Sequence, residues 1–244
     1  MRNIRLDICY DGTRYRGWQR LANTDQTVQG KLEMALSRIL GENIEISGSG
    51  RTDAGVHAKG QVANFHTQSN MPCPEMLAQL RKYLPEDIGI LGVKDCADRF
   101  HARLNAKEKT YCYRIWNSAS PCVFDRRYVY QLPEKLDLSA MREAADLLLG
   151  EHDFSAFCGN PKMKKSTVRF IRSIEFKCCG EELRIYYTGN GFLQNMVRIL
   201  TGTLIEVGRG ERSAASIPEL FGLKRSEAGF LAPAQGLCLE EVFY

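Results

Sequence analysis

Apolar and polar residues alternate at the start of the chain. The apolar positions are Ile4, Leu6, Ile8 and Tyr10. A period of two predicts a β-strand with one buried face, and the turn-forming pair Asp11-Gly12 predicts where the strand ends. Between Val28 and Leu40 the apolar residues recur instead at intervals typical of a helix, for which Gly41 is the predicted stop. The candidate caps of this helix are Thr24, Asp25 and Thr27.

The rest of the first half continues with short apolar segments. They predict a strand around Ile44 and Ile46, a strand at residues 61–66, a helix that ends before Pro85 and a strand at residues 88–93. The first half therefore has the order β-α-β-β-α-β. This is the ferredoxin-like arrangement, in which two helices cover one face of an antiparallel sheet and leave the other face open.

The second half repeats the same kinds of element. It predicts a strand at 110–116, a helix at 138–149, strands near 169–176 and 183–188, a helix at 192–207 and a strand at 236–242. Charge rises and the apolar period lapses at 104–107, so we place a boundary there, between an N-terminal half at 1–104 and a C-terminal half at 105–244. The predicted fold class is α+β, with two ferredoxin-like halves.

Composition narrows the class of protein. With 44% hydrophobic residues among 244, the chain can bury a substantial core. It contains no uninterrupted apolar run of about 18 residues, and its N-terminus lacks the apolar core of a signal peptide. We therefore expect a cytoplasmic protein with no membrane partner. The nine cysteines form no CxxC pair and no zinc-like spacing, so we expect reduced thiols and no metal site.

Positive charge is concentrated in two segments, although the formal net charge is only +4. The first segment contains Arg14, Tyr15, Arg16, Trp18, Gln19 and Arg20. This mixture suits phosphate contacts and base stacking, and it equally suits a solvated face. The second segment contains Lys162, Lys164, Lys165, Arg169 and Arg172. We interpret this second cluster as a solvated face, which is the usual role of a charge run.

One carboxylate lies between an arginine and a histidine on a glycine-flanked turn. The turn is Gly50-Arg51-Thr52-Asp53-Ala54-Gly55-Val56-His57. Glycine permits positive φ and close approach of another molecule, so such a turn can present Asp53 to a substrate. Asp and Gly also dominate turns for structural reasons, which leaves a plain connection as the alternative. A nucleotide site at Gly48-Ser49-Gly50 is disfavoured, because the full phosphate-loop pattern is missing.

Two more residues are candidates to join Asp53 in a site. Tyr111 and Tyr113 share one face of their strand, as core residues commonly do. If that face is open to a cleft, Tyr111 offers a stacking surface and a phenol that can move a proton. Arg198 lies opposite the apolar arc of its predicted helix. It is either a solvent-facing arginine or one that pairs with a carboxylate inside the molecule.

Several segments of the chain match a known family in the order of that family. They are Tyr10-Asp11-Gly12, Gly17-Trp18-Gln19-Arg20, Thr27-Val28-Gln29, the turn from Gly50 to His57, Phe100-His101-Ala102-Arg103, Tyr111-Cys112-Tyr113-Arg114, residues 192–198 and Glu206-Val207-Gly208. The chain thereby resembles the tRNA pseudouridine synthase A (TruA) family over nearly its whole length. The resemblance implies the pseudouridine synthase fold, in which the antiparallel sheets of two halves flank a central active-site cleft.

The resemblance also implies an activity. This is the isomerisation of uridine to pseudouridine at positions 38, 39 and 40 of the tRNA anticodon stem-loop, by a homodimer and without a cofactor or metal. Asp53 would be the nucleophile, Tyr111 would stack on the target base and later take the C5 proton, and Arg198 would pair with Asp53. Whether Asp53 attacks C1′, adds to C6 or forms a glycal stays open. Further substrate contacts are expected from Arg14, Arg16, Gln19, Arg20, Gln29, Arg51, His57 and Arg103.

The alternative function is a noncatalytic tRNA-binding module or chaperone. The basic segment at 14–20 and two open-faced sheets would suffice for it, and position 53 would need no carboxylate. An enzyme needs more, because breaking the glycosidic bond of uridine requires a group that holds the sugar or the base while the base turns over. An ionised carboxylate can do this covalently.

Overall fold

The alternating segment at the start of the chain forms strand β1, Arg2–Tyr10. We describe it from a computed structural model that covers residues 1–160 and 162–244. Ile4 and Leu6 are completely buried. The prediction of a strand with one buried face is therefore confirmed.

The chain folds into two units. Unit 1 comprises Met1–Lys107 and Leu239–Tyr244, and unit 2 comprises Glu108–Cys238. The last residues of the chain thus belong with unit 1, whereas the sequence boundary assigned them to the second half. Both units combine α-helices with antiparallel strands, so the predicted mixture of α and β is confirmed, while the ferredoxin-like character of each half stays a prediction. No helix in the described ranges is both long and apolar enough to cross a membrane.

Unit 1 contains helices α1, Val28–Leu40, and α2, Cys73–Tyr83. The hydroxyl of Thr27 accepts a hydrogen bond from the amide of Gly30 at the start of α1. Gly41 ends α1 in the left-handed region, with φ 70°. The predicted cap and stop of this helix are therefore confirmed, because both depend on local backbone chemistry.

Three more strands of unit 1 lie around β1. They are β2, Ser47–Gly48, β3, His57–Thr67, and β4, Ile88–Cys96. β1 lies between β4 and β3 and is antiparallel to both. β2 pairs with β3 through a short antiparallel ladder, so the segment that contains Asp53 connects two neighbouring strands.

The strand predicted around Ile44 and Ile46 is wrong. Both side chains are buried, but the strand begins only at Ser47. The amide of Ile46 donates to the carboxylate of Glu33 at 3.0 Å, and its carbonyl accepts from the side chain of Gln29 at 3.2 Å. Side chains of α1 therefore take the backbone hydrogen bonds that a sheet partner would otherwise supply.

Unit 2 contains a further set of mostly antiparallel strands. Its strands are β5, Glu108–Trp116, β6, Tyr130–Gln131, β7, Gly150–Asp153, β8, Val168–Cys179, and β9, Glu182–Gly189. The order across the sheet is β5, β9, β8 and β7, and β6 pairs with β5 in the parallel sense. The sequence did not predict β6 and β7, because such short segments show no alternation.

Two helices of unit 2 are α3, Leu138–Asp146, and α4, Met196–Gly208. Both are shorter than predicted. The chain after α3 tightens into turns before Gly150, whose φ is 97°. α4 begins late because Asn195 has φ 60°, a left-handed conformation that a continuing helix cannot contain. A final strand, β10, Leu237–Phe243, follows at the C-terminus.

Candidate active site

Asp53 lies in the segment between β2 and β3, and the segment that follows β1 holds its backbone in place. The amide of Trp18 donates to the carbonyl of Thr52 at 3.1 Å. Gly17 has φ 99°, and a Cβ at this position would lie 2.7 Å from the same carbonyl oxygen. Two separate features thus require glycine at position 17: the left-handed backbone and the close approach to the residue before Asp53.

The turn at Asp53 is tight and partly exposed. The carbonyl of Asp53 accepts a hydrogen bond from the amide of Val56 at 3.1 Å, and Gly55 between them has φ 78°. The amide of Gly55 donates to the carbonyl of Tyr15 at 3.3 Å. Asp53 itself is half-buried. The sequence prediction of a glycine-dependent turn is confirmed, and the turn is anchored to the rest of unit 1.

Aromatic side chains form the floor beneath this turn. Trp18 is only 2% exposed, and Tyr15 is 5% exposed. A Cβ at Gly48 would lie 2.6 Å from the Trp18 indole, so only glycine leaves room for the ring. The phenol of Tyr10 shares a 2.8 Å hydrogen bond with the hydroxyl of Thr52. The interpretation of Tyr15 and Trp18 as base-stacking surfaces is therefore wrong, because both rings are packed inside unit 1.

The three arginines of the first basic segment have different surroundings. Arg14 is 80% exposed and lies 3.8 Å from the carboxylate of Asp87. Arg16 is also exposed. The phenol of Tyr15 donates to Asp87, and burial together with this hydrogen bond raises the pKa of Tyr15 well above its usual value. Arg14 and Arg16 therefore extend into solvent from a segment that the buried side chain of Tyr15 anchors to unit 1.

Arg20 and Gln29 belong to a hydrogen-bond network around a buried carboxylate. Glu33 is 5% exposed. It accepts from Arg20 at 2.9 Å, from the side-chain amide of Gln29 at 2.9 Å and from the backbone amide of Ile46 at 3.0 Å. The side-chain oxygen of Gln29 accepts from the backbone amide of Arg20. The structure thus places Gln29 inside unit 1, whereas Gln19 is half-exposed.

His57 anchors the far end of the turn. It is 5% exposed, and its Nδ1 accepts a hydrogen bond from the amide of Gly12 at 3.0 Å. A Cβ at Gly12 would lie 2.0 Å from the carbonyl oxygen of Val56, so the two segments are in close backbone contact. Arg51, in contrast, is exposed. Asp53 thus lies in the chain between a histidine that is buried in support of the turn and an arginine that faces solvent.

Arg103 lies in a loop whose backbone is hydrogen-bonded to two buried asparagines. Asn64 accepts from the amide of Ala102 at 2.8 Å and donates to the side chain of Asn3 at 3.0 Å. Asn3 in turn donates to the carbonyl of Phe100 at 2.8 Å. Arg103 is exposed at the tip of this loop. The sequence analysis did not identify the two asparagines, because one isolated amide in a strand carries no visible pattern.

In unit 2, Tyr111 lies on β5 with only 8% of its surface exposed. Its ring meets that of Phe192 edge to face, with 5.3 Å between the ring centres. Tyr113, two residues further, is completely buried, and its phenol donates to the carbonyl of Pro233 at 2.7 Å. Tyr113 is therefore a core residue, whereas Tyr111, on the same face of the strand, lies at the margin of the core.

Arg198 lies on α4, and protein atoms of unit 2 fix its guanidinium. Its Nε donates to the carbonyl of Ala232 at 2.7 Å, and its Nη1 donates to the side-chain oxygen of Asn195 at 3.2 Å. A Cβ at Gly159 would lie 2.4 Å from the Asn195 side chain. Arg198 is only partly exposed, so it is not a freely solvated surface arginine.

A second segment of unit 2 packs directly on α4 through small residues. A Cβ at Gly202 would lie 1.9 Å from the carbonyl oxygen of Phe230. The amide of Gly229 donates to the hydroxyl of Thr203 at 2.9 Å, and that of Phe230 donates to Glu206 at 3.0 Å. Small residues of α4 near Arg198 therefore allow this second segment to approach the helix closely. This contact also positions the carbonyl of Ala232, a partner of Arg198 that the sequence did not reveal.

Comparison with known proteins identifies the family of the chain. A sequence profile described as tRNA pseudouridine synthase matches residues 8–105 and 144–244. A protein named tRNA pseudouridine synthase A 2 from Bacillus cereus (strain ZK / E33L) is 47% identical over 243 residues, 99% of each chain. Its namesake from Clostridium perfringens (strain 13 / Type A) is 46% identical over 245 residues, 100% of each chain. The chain belongs to the tRNA pseudouridine synthase A family.

Membership in this family confirms the resemblance seen in the motifs. Pseudouridine synthases are isomerases, so the chain is an enzyme of tRNA modification. The profile match contains Asp53 and Arg198, and Tyr111 lies in the stretch between the two matched ranges. That stretch is covered by full-length relatives such as tRNA pseudouridine synthase A from Bacillus sp. (strain KSM-64), 48% identical over 245 residues.

Proposed function

We propose that the chain isomerises uridine at positions 38, 39 and 40 of the tRNA anticodon stem-loop, with Asp53 as the nucleophile. One observation carries the proposal: a carboxylate on a partly exposed turn whose backbone is fixed on both sides. Gly17 is packed against the residue before Asp53, and His57 anchors the end of the turn. A carboxylate held on a rigid, partly exposed turn is placed where it can react with a bound substrate, as covalent catalysis requires.

The reaction exchanges one bond for another on the same base. The N1–C1′ bond of uridine breaks, the base turns over, C5 bonds to C1′, C5 loses a proton and N1 gains one. Asp53 has to start ionised for each of the three routes that the sequence leaves open. We infer that Arg198 pairs with this carboxylate, since a nearby guanidinium favours the ionised form. The hydrogen bonds to Ala232 and Asn195 would hold the guanidinium in a fixed orientation for that pairing.

Tyr111 is proposed to stack on the target base and to take the proton from C5. A uridine in a stem has to leave its stack before it can react, which costs a few kcal/mol and calls for a replacement surface. The edge contact with Phe192 supports the Tyr111 ring from one side.

Exposed arginines are proposed to bind the RNA backbone. Arg14, Arg16, Arg51 and Arg103 are all exposed on unit 1. Such contacts position an RNA stem without reading its sequence, and they make binding weaken with salt. We assign Arg20, Gln29 and His57 a supporting role instead, because their side chains bond to unit 1 itself. The homodimer and the cytoplasmic location stay predictions.

The decisive experiment measures tritium release from tRNA labelled at C5 of uridine. Isomerisation expels the label, whereas a noncatalytic tRNA-binding module or chaperone leaves it in place. Mapping of pseudouridine in the product then tests positions 38, 39 and 40 separately. Tritium release with pseudouridine at those positions supports the proposal. Tight binding without release would instead identify the chain as a binding module, and pseudouridine elsewhere would contradict the assigned positions.

A further inference from the structure

Arg169 on β8 differs from the other residues of the second basic cluster. Lys162, Lys164 and Lys165 are exposed, as the solvated-face interpretation requires, but Arg169 is half-buried. Its Nη1 donates to the backbone carbonyls of Ser166 at 2.9 Å and Val168 at 2.6 Å. These two bonds fix the guanidinium close to its own strand.

The charge of Arg169 has no carboxylate partner among the residues that the structure describes. The nearby titratable group is the thiol of Cys158, and burial lowers the pKa of Arg169. Arg172, three residues along the same strand, shows the usual arrangement: its Nε lies 3.1 Å from the carboxylate of Glu108. A half-buried guanidinium is normally paired with an anion, because its desolvation is otherwise uncompensated. Arg169 is therefore a cation suited to an external anion.

Arg169 lies beside the loop that carries the proposed site residues of unit 2. Gly191 faces it, and the nearest atom to a Cβ built on Gly191 is the Arg169 Nε at 3.9 Å. The next residue, Phe192, contacts the ring of Tyr111. The same loop ends at Asn195, which accepts a hydrogen bond from Arg198. The guanidinium and both proposed site residues are therefore joined through one short loop.

We propose that Arg169 binds a phosphate of the tRNA backbone next to the reacting nucleotide. This inference rests on the proposed function, since it takes Tyr111 and Arg198 as the site. Among the described residues, protein carbonyls engage only Nη1, which leaves Nε and Nη2 as an edge with two parallel donors that match two phosphate oxygens. Gly191 lets the backbone of the RNA approach this edge without a side chain in the way. A phosphate held there keeps the strand in place while its base leaves the stack.

The test compares the variants Arg169→Gln and Arg172→Gln on an unmodified tRNA transcript. Both remove one positive charge from the same strand, but Arg172 already has Glu108 as its partner. The measurements are the KM and kcat of tritium release and the dissociation constant for tRNA over a range of salt concentrations. For Arg169→Gln we expect a dissociation constant and KM raised about 10-fold, and a log–log salt slope smaller by about 0.7–0.9. Arg172→Gln is expected to match the wild type.

Two further observations separate a binding role from a structural one. Arg169→Lys keeps the charge but not the paired donors, so it is expected to keep the wild-type salt slope and to bind less tightly. Thermal melts report any loss of folding, which by itself would leave the salt slope of the folded fraction unchanged. An unchanged slope for Arg169→Gln, or an equal change for Arg172→Gln, would overturn the inference. If the wild type binds tRNA but releases no tritium, the proposed function fails, whereas the salt slopes still decide the phosphate contact.

Discussion

The Nε of Arg198 donates a hydrogen bond to the carbonyl of Ala232 at 2.7 Å, and the amide of Ala232 donates back to the carbonyl of Arg198 at 3.3 Å. This reciprocal pair joins α4 to a segment that the sequence shows only as a loop. The orientation of the arginine therefore depends on how closely that segment packs on the helix. Gly202 sets the distance, because its Cα faces the carbonyl of Phe230.

Gly202→Ala tests this dependence. The added Cβ would lie 1.9 Å from a backbone oxygen, so the segment that carries Ala232 has to shift. We expect the free energy of unfolding to fall by about 1–3 kcal/mol, although Ala is favoured over Gly in a helix by about 0.8–1.0 kcal/mol. Turnover is expected to fall by at least about 10-fold, because Arg198 loses its orientation.

Urea denaturation and tritium release measure the two effects, with Gly92→Ala as the control. A Cβ at Gly92 meets only the flexible side chain of Asp7, so that variant is expected to behave as the wild type. A Gly202→Ala enzyme with normal stability and turnover would show that the contact does not position Arg198.

Tyr111→Phe separates stacking from proton transfer. The ring and its edge contact with Phe192 remain, so tRNA binding is expected to stay within about 2-fold of the wild type. Turnover is expected to fall by about 10²-fold or more, because the phenol that we propose as the acceptor of the C5 proton is gone. Measured turnover equal to that of the wild type would remove Tyr111 from the proton transfer and leave it only the stacking role.

Gln29→Ala and Arg14→Ala distinguish a supporting residue from an RNA contact. Removing the buried amide of Gln29 leaves Glu33 with one donor fewer and the amide of Arg20 without its acceptor. We expect a loss of about 1–3 kcal/mol in the free energy of unfolding and no change in the salt slope of tRNA binding. Arg14 is 80% exposed, so its removal should leave stability unchanged and reduce the salt slope by about 0.7–0.9. The reverse pattern would return Gln29 to the RNA interface.

Acid stability is predicted to depend on Glu182. Burial opposes ionisation of this carboxyl, but hydrogen bonds from Arg114 and Arg184 outweigh it and lower the pKa of Glu182 to about 2. Because the pKa is lower in the folded state, the ionised group stabilises the fold above its unfolded pKa, and this contribution is lost as the pH falls toward 2. It is on the order of 1–2 kcal/mol after allowance for solvent screening.

Glu182→Gln is therefore expected to lower stability at neutral pH and to remove part of the decline below pH 4.5, the ordinary pKa of the group. Urea denaturation between about pH 2 and pH 7 measures this, because that range includes both the folded and the unfolded pKa of Glu182. Glu151→Gln, at an exposed position, serves as the control. An unchanged acid decline in Glu182→Gln would contradict the assignment.

The sequence predicted those parts of the fold that depend on local chemistry. The ends of α1 follow from a threonine cap and a glycine stop, and neither needs information from elsewhere in the chain. The late start of α4 could not be predicted in the same way. It depends on the left-handed backbone of Asn195, whose side chain packs against Gly159 from another segment. Likewise, the sequence predicts a strand at 236–242, but it does not predict that the last residues of the chain join unit 1.

Within the candidate site, the sequence indicated which residues take part, but it did not indicate which of them are buried. The turn at Asp53 and the exposure of Arg14 and Arg16 follow from glycines and charges that lie close together in the chain. The burial of Trp18 and Gln29 does not, because it depends on Gly48 leaving room for the indole and on Glu33 accepting from the amide. The same sequence motifs contain both supporting residues and residues proposed to react or bind RNA. The sequence alone does not distinguish these two roles.

The central claim is that Asp53 carries the chemistry, and the most direct test is tritium release by Asp53→Asn. Asparagine has the shape of aspartate but cannot act as an ionised nucleophile. We expect turnover to fall by at least about 10⁴-fold, while the melting temperature and the dissociation constant for tRNA stay near those of the wild type. Tritium release by a folded, tRNA-binding Asp53→Asn protein within about 10-fold of the wild-type rate would contradict the claim.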